Sequence, residues 1–482
     1  MILRPPEPVR QDPFAWEVLQ RLPLAEAFYT LWAYLAPDAV LEHLFQEHRG
    51  HCYHDQLAFA ELVTVLAEAV TRYRGSGLPA IEQALEHQRL STQARAVYGK
   101  LARLPLPLAE AFLAGLTARL RPLFPAGLYR SALPQSLAGL TVVVLDGKKI
   151  KRAAKRLLAV RGRPGKVFGG KLLVAYLPAD GLAVAVAADP DGEANDIRLV
   201  PRLLPLARAA DAGPRLWVAD RQFGDLDQPS RFAAGGDHFL LRLHQGVTFA
   251  ADPARPAAGG VDGAGRPFTQ AWGWLGAARD PRRRYVRRIA LERPGAEAVL
   301  LVTDLLDEPA YPAADLLATY LLRWQIETVF QQITEVFALR HLIGCTPQAT
   351  VFQASLCLVI YNALQLIRGY VAAGRPEPLR PEALSLEKIF ADLHEEVVSV
   401  HRVLDTEELL RCLPGPATAE QVTERLRALL GRAWSRRWRK AADKKPRLRK
   451  PKAKQSGAHT SVHKILQQAK QQQTKPAPRQ NE

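Results

Sequence analysis

"LTVVVLDGK", Leu140–Lys148, decides how the rest of the chain is read. The run is short, apolar and β-branched, with no polar alternation, which is the pattern of a strand buried on both faces of a largely parallel sheet. It closes on Asp146, and Gly147 is expected to let the chain turn sharply there. A second run of the same texture, "RLWVAD", closes on Asp220 and is followed by Arg221. Ligands of α/β sheets bind at the carboxyl ends of strands. One Asp in such a place is weak evidence, because Asp also serves turns and caps. Two of them mark a candidate site.

Around these runs the chain reads as an α/β core. "GGKLLVAYLPADGLAVAVAADP" looks like two strands about an Ala-Asp-Gly turn, and "VPRLLPLARAADAG" supplies a crossover to the strand that ends at Asp220. From about 238 to 304, "HFLLRLH", "YVRRIALE" and "AVLLVTDLL" are strand-like between Gly/Pro-rich loops and read as a β insertion. Residues from about 15 to 125 read as short amphipathic helices, a domain for reading DNA or for assembly. Within it "STQARAVYGKLARLP" offers Arg95, Lys100 and Arg103 to DNA, or else an ordinary solvated helix face. Residues 375–430 look helical, with a Thr418/Gln421 capping box, and the Lys/Gln/Pro-rich tail is expected to be disordered. The expected division is a helical domain over 1–130, a core over 131–372, a helical region over 373–430 and a basic tail over 431–482.

Charge points to a polyanion. The chain has 482 residues, 48% of them hydrophobic, so it can bury a sizeable core, and its net charge is +17. From Arg432 onward sixteen Lys and Arg face only Asp443 and Glu482, which places +14 of that charge in the tail. DNA or RNA is the first partner this implies. Four cysteines in so long a chain argue against a disulfide scaffold and fit a reducing compartment. The polar, Pro-rich opening shows no secretory leader. The longest apolar run, "VFQASLCLVIYNALQLI", is interrupted by Gln353, Asn362 and Gln365 and reads as a buried helix, so no membrane is expected.

"TYLLRWQIETVFQQITE", Thr319–Glu335, sets Arg323 and Glu327 one turn apart among Trp324, Ile326 and Phe330. Polar groups among bulky apolar neighbours are costly unless paired or used. As one helix, the stretch puts Tyr320, Glu327 and Thr334 on one face, with Arg323 close to it. Arg323 either braces Glu327 or holds a phosphate beside it. Asp146, Asp220 and Glu327 then form three carboxylates, a donor set for hard cations such as Mg²⁺ or Mn²⁺. His48, His51, Cys52 and His54 lie outside the usual zinc spacing and have no distant partner cluster. Hard ions held by carboxylates suit phosphodiester cleavage or transfer.

These residues resemble the IS4-type DDE transposases of bacterial insertion sequences. "VVVLDGK" is similar to the family's first Asp segment and "WVADRQF" to its second. "YLLRWQIETVFQQIT" matches its Tyr, Arg and Glu spacing at Tyr320, Arg323 and Glu327, with Thr334 where the family often has Lys. "HFLLRL" resembles the strand that brings Arg242. The resemblance covers roughly residues 130–370 and implies an α/β, ribonuclease H-like core with a β-strand insertion, helical flanks and a basic tail. It further implies Asp146, Asp220 and Glu327 as ligands of Mg²⁺, with Mn²⁺ as substitute, and Tyr320 and Arg323 as catalytic groups that position phosphates. Lys148, Arg221 and Arg242 would join Arg323 and Tyr320 in binding DNA, and Trp272 or Trp274 would stack on a base or pack in the core. The activity implied is cutting at terminal inverted repeats and joining 3′-hydroxyls to target DNA, by a homodimer on paired ends, in the bacterial cytoplasm on the nucleoid.

Two other readings stay open on sequence. One is a metal-dependent DNA nuclease without transposition. The other is a DNA-binding protein whose catalytic site has decayed, with Thr334 as its mark. An RNA binder would rest on the basic tail alone.

Overall fold

The computed structural model describes residues 13–53, 56–90, 92–124, 133–151, 157–161, 166–244, 246–293, 295–341, 343–377, 379–404, 409, 418–440 and 459–474. The chain forms two compact units. One gathers Met1–Tyr129, Lys151–Gly169 and Gln332–Glu482, and the other gathers Arg130–Ile150 and Gly170–Gln331.

The second unit is built on a mixed sheet. Its first strands are β1 (Thr141–Lys151), β2 (Lys166–Leu177, here from Gly170), β3 (Leu182–Asp189), β4 (Arg215–Ala219) and β5 (His238–Arg242). The order runs β2-β1-β4-β5, with β3 paired to β2. β1, β4 and β5 are parallel, in registers that set Val143 opposite Trp217 and Trp217 opposite Phe239. Val142 to Leu145 and Leu216 to Ala219 are all buried, as the unbroken apolar runs require. Each Val or Leu among them contributes about 1.5–3 kcal/mol by burial. β2 and β3 form the expected antiparallel hairpin, and Gly181 supplies the positive φ of 70° at its turn. The Val200–Ala209 helix is the expected crossover between β3 and β4.

The β insertion begins later than the sequence suggests. β5 pairs in parallel with β4 and so belongs to the core. The added strands are β6 (Phe249–Ala251), β7 (Ala258–Val261), β8 (Pro267–Leu275), β9 (Arg284–Arg293) and β10 (Ala296–Thr303). β10 returns antiparallel along β5, and β9 and β8 continue the same sheet. Trp272 is buried, donates its indole N–H to the Leu306 carbonyl at 2.9 Å and lies under the Arg255 guanidinium. Trp274 is 38% exposed, with its ring edge against Tyr285 and Arg283 over its face.

The single helix expected over Thr319–Glu335 is broken. The Ala313–Leu321 helix ends before Arg323, the Trp324–Gln331 helix follows, and Gln332–Val336 widens into a π-turn. At the break, Leu322 and Arg323 donate back three residues, to the Thr319 and Tyr320 carbonyls, which tightens the turn. The spacing of Tyr320, Glu327 and Thr334 therefore does not run along one unbroken α-helix.

In the helical unit the Pro347–Ala373 helix is long and apolar enough to cross a bilayer, but its residues are buried within the protein. It packs on the Leu106–Leu120 helix: Phe352 meets Phe112 at 5.1 Å between ring centroids, and Asn362 donates to the Thr117 hydroxyl at 2.9 Å. The polar interruptions in the run are thus paired inside the core. The Thr418/Gln421 capping box is present on the Ala419–Leu430 helix. This unit takes in segments that precede and that follow the other unit's strands in sequence, including the Pro347–Ala373 helix, which the sequence reading assigned to the core.

The tail departs from expectation where it is described. β11 (His459–Ser461) pairs in parallel with Lys166–Phe168, and the Val462–Thr474 helix buries Val462 and Ile465 against Val160 and Val167. Those apolar residues supply the burial that the polar composition of the tail hides. The basic run from Lys444 to Lys454, and His54 of the His/Cys cluster, lie outside the described residues.

Candidate active site

Parallel pairing brings the first two acids together. The last register pair of β1 and β4 is Leu145 opposite Ala219, so Asp146 and Asp220 are the next residues of two neighbouring strands. β1 itself stays extended to Lys151, so Asp146 lies inside a strand rather than at its end. Its side chain keeps 19% of its surface exposed, and β4 stops beside it. Gly147 makes no left-handed turn either. A Cβ on it would come within 2.3 Å of the Asp196 carboxylate, so glycine is needed there for close approach.

Asp196 and its partner Lys171 are the supports that sequence reading missed. Asp196 is 5% exposed, Lys171 1%, and the pair meets at 2.6 Å, with Lys171 also donating to the Ala194 carbonyl at 2.5 Å. The neighbouring Asn195 accepts from the Gln222 amide side chain at 3.2 Å, while Asp220 accepts from the Gln222 backbone N–H at 2.9 Å. The β3–helix loop is thereby set against β1 beside Asp146 and tied to the turn that follows Asp220. A lone lysine in the apolar run "GGKLLVAYL" was the available signal.

Arg323 stands among the acids. Its Nη1 lies 3.7 Å from Asp146 Oδ2 and its Nη2 3.3 Å from Glu327 Oε1. The Glu327 side chain is 43% exposed, so that i,i+4 pair contributes only about 0.3–0.5 kcal/mol. The buried contacts hold Arg323 more firmly, with its guanidinium also close to the faces of Tyr320 and Trp324. Arg323 thus braces Glu327, the first of its two alternatives, and also reaches the first Asp.

The electrostatics follow from this crowding. Burial pushes the Asp146 carboxyl up to about 7; Asp220 and Glu327 add to the rise, against Arg323 and the Gly147 N–H at 2.8 Å. Burial likewise raises Tyr320, opposed by Arg323 and Arg242. For Arg323 burial works against the charge, but Tyr320, Asp146, Asp220 and Glu327 together outweigh it and hold its pKa above the ordinary value. Asp146, Asp220, Glu327, Arg323, Tyr320 and Arg242 are therefore one interacting set.

Other predicted contacts are placed less centrally. Lys148 donates to the Phe330 carbonyl at 3.2 Å and sits over that ring, so it braces the Glu327 helix. Arg221 is exposed beside Asp220. Lys100 is buried, because Val97, Lys100 and Leu101 form the inner face of their helix, and it donates to the Leu57 carbonyl. Arg95 and Arg103 of the same segment are exposed.

Residues 138–363 match the family model described as "Transposase DDE domain". This segment is similar to the DDE domains of transposases. It encloses all six members of the interacting set. The chain is also similar, at 12% identity and a TM-score of 0.38 over 83% of its length and 88% of the other, to a piggyBac transposase solved by cryo-EM as a synaptic complex with hairpin DNA. None of the curated proteins matches the chain.

The DDE family implies metal-dependent chemistry, and the donor set suits it. Three carboxylates crowd a half-buried site where one already resists ionisation, a repulsion that a hard cation relieves. Among the described residues, however, no three acids, His or Cys stand in a geometry that holds an ion. The compensating charge in this structure is the Arg323 guanidinium.

Proposed function

We propose that the protein is an IS4-type DNA transposase with a ribonuclease H-like core. The observation that carries this reading is that the DDE domain gathers Asp146, Asp220 and Glu327 around Arg323. An Asp on each of two adjacent parallel strands, a β insertion and a late helix with the Glu are the parts this core requires, in the order required.

Asp146, Asp220 and Glu327 would hold Mg²⁺, or Mn²⁺ in its place. When bound, such ions supply Lewis acidity and lower the pKa of an attacking water or 3′-hydroxyl. Arg323 offers a planar fork to a phosphate oxygen once a bound cation takes over its role between the acids. Tyr320, buried and kept neutral, can donate its hydroxyl to a phosphate without adding charge. Arg242 and Arg221 add positive charge along the same strand ends. The substrates are the terminal inverted repeats of the element and a target duplex, handled by a homodimer on paired ends in the bacterial cytoplasm.

DNA binding without cutting is the second reading, favoured by the salt-bridged arrangement of Arg323 with two of the acids. Product mapping decides between them and the nuclease. Purified protein, Mg²⁺ and a plasmid carrying the gene with its native flanks should give breaks at both element boundaries, then 3′-ends joined to a second plasmid. Scattered breaks without joined ends would leave a nuclease, and no breaks would leave a binding protein.

A further inference from the structure

The helical unit holds a cavity of about 760 Å³ between the Ala94–Leu101 helix and the start of the Pro347–Ala373 helix. Several of the facing residues are small: Ala96, Gly99 and Ala102 on one wall, Gly344 and Ala349 on the other. Arg95 and Arg103 are exposed at it, and no Asp or Glu is among its described lining residues. Tyr53 lies beneath the Arg103 guanidinium at 5.5 Å, and Tyr98 is 39% exposed. The opposite wall ends at Thr346, the cap of a 27-residue helix, where the positive end of the helix dipole faces the cavity.

We propose that this groove is a second DNA contact, taking the sugar-phosphate backbone of a duplex, with Arg95 and Arg103 on its phosphates. The proposal rests on the DNA-handling function above and adds a site to it. Two fork-shaped cations, aromatic faces and a helix amino end, with no Asp or Glu among the described lining residues to oppose them, match a phosphodiester strand in charge and in chemistry. Gly99 keeps the floor clear. A Cβ there would meet only the Tyr53 hydroxyl, at 3.8 Å.

The test is fluorescence anisotropy of a labelled 30-base-pair duplex of arbitrary sequence with the full chain, over a salt series. Replacing both arginines (R95A/R103A) should weaken binding at least tenfold and lower the salt slope by about 2, as expected for about 0.9 per lost phosphate contact. Gly99→Leu, which favours the helix and leaves the charge unchanged, should weaken binding by filling the groove. Millimolar dAMP should not compete. Unchanged affinity and slope in both variants would overturn the groove while leaving the functional reading intact. Full competition by dAMP would make it a nucleotide pocket and overturn it too. A wild-type chain that binds no duplex would overturn the functional reading and the groove together.

Discussion

Arg323 Nη1 lies 3.7 Å from Asp146 Oδ2, inside the segment that matches the DDE family model and with both side chains largely buried. A guanidinium there does the work of a cation. It offsets the repulsion of Asp220 and Glu327 on Asp146, whose carboxyl burial drives toward protonation. The same contact says why the helix is broken at this residue: the tight turn at Leu322–Arg323 sets the side chain between the Asp146 and Glu327 carboxylates.

Removing that cation should therefore cost stability only when no other cation is present. Arg323→Ala is expected to destabilise the metal-free protein by about 1–3 kcal/mol, the cost of leaving buried polar groups unpaired. In Mg²⁺ the deficit should shrink, because an ion can replace the lost charge. Calorimetry with and without Mg²⁺ measures both numbers, and an equal deficit in the two conditions would contradict this role.

The Lys171–Asp196 pair should behave as a buried ion pair does. Lys171→Met alone leaves Asp196 uncompensated beside Gly147, at an expected cost of about 3–5 kcal/mol. Adding Asp196→Leu should recover most of the loss of stability, since a well-packed apolar pair can replace a buried ion pair. DNA cutting should not recover with it, because the loop would lose its hold beneath Asp146. Denaturant midpoints and cutting rates for the single and double variants separate the two effects.

Two groups on the Leu386–Val403 helix should give opposite pH dependences. Burial pulls His401 down to about 3, where its ring meets the Tyr29 hydroxyl at 2.7 Å. Its contribution is present above about 6.5 and is lost as pH falls toward 3. Burial pushes Glu396 up to about 7 although it accepts the Leu24 and Ala25 N–H groups. Its contribution is full below about 4.5 and is lost as pH rises through 7. Relative to wild type, His401→Gln should gain stability as pH falls from 7 to 5, and Glu396→Gln should lose it. Melting temperatures at the two pH values check both signs.

The parts of the fold written in local pattern were legible in sequence. The unbroken runs around Val143 and Trp217 announced buried parallel strands, and the acids that follow them announced the candidate site. What escaped depended on neighbours. Asp146 looked like a strand end because its own run turns polar there, whereas β1 continues and it is β4 that stops. Gly147 looked like a turn because the carboxylate that excludes a Cβ belongs to Asp196, forty-nine positions away in sequence. β5 looked like part of the insertion until its parallel partner was known. Ile465 sat unnoticed in a glutamine-rich tail because its apolar partners, Val160 and Val167, lie three hundred residues earlier.

The central claim is that Asp146, Asp220 and Glu327 act together to cut DNA. Its most direct test is strand cleavage by the wild type and by Glu327→Gln, at equal saturation with a duplex carrying the element end, in Mg²⁺ and in Mn²⁺. The expected result is cutting by the wild type and a loss of about a thousandfold or more in the variant, as for several kcal/mol of transition-state stabilisation, with DNA affinity unchanged. Equal cutting by the variant, or binding by the wild type without cutting in either metal, would contradict it.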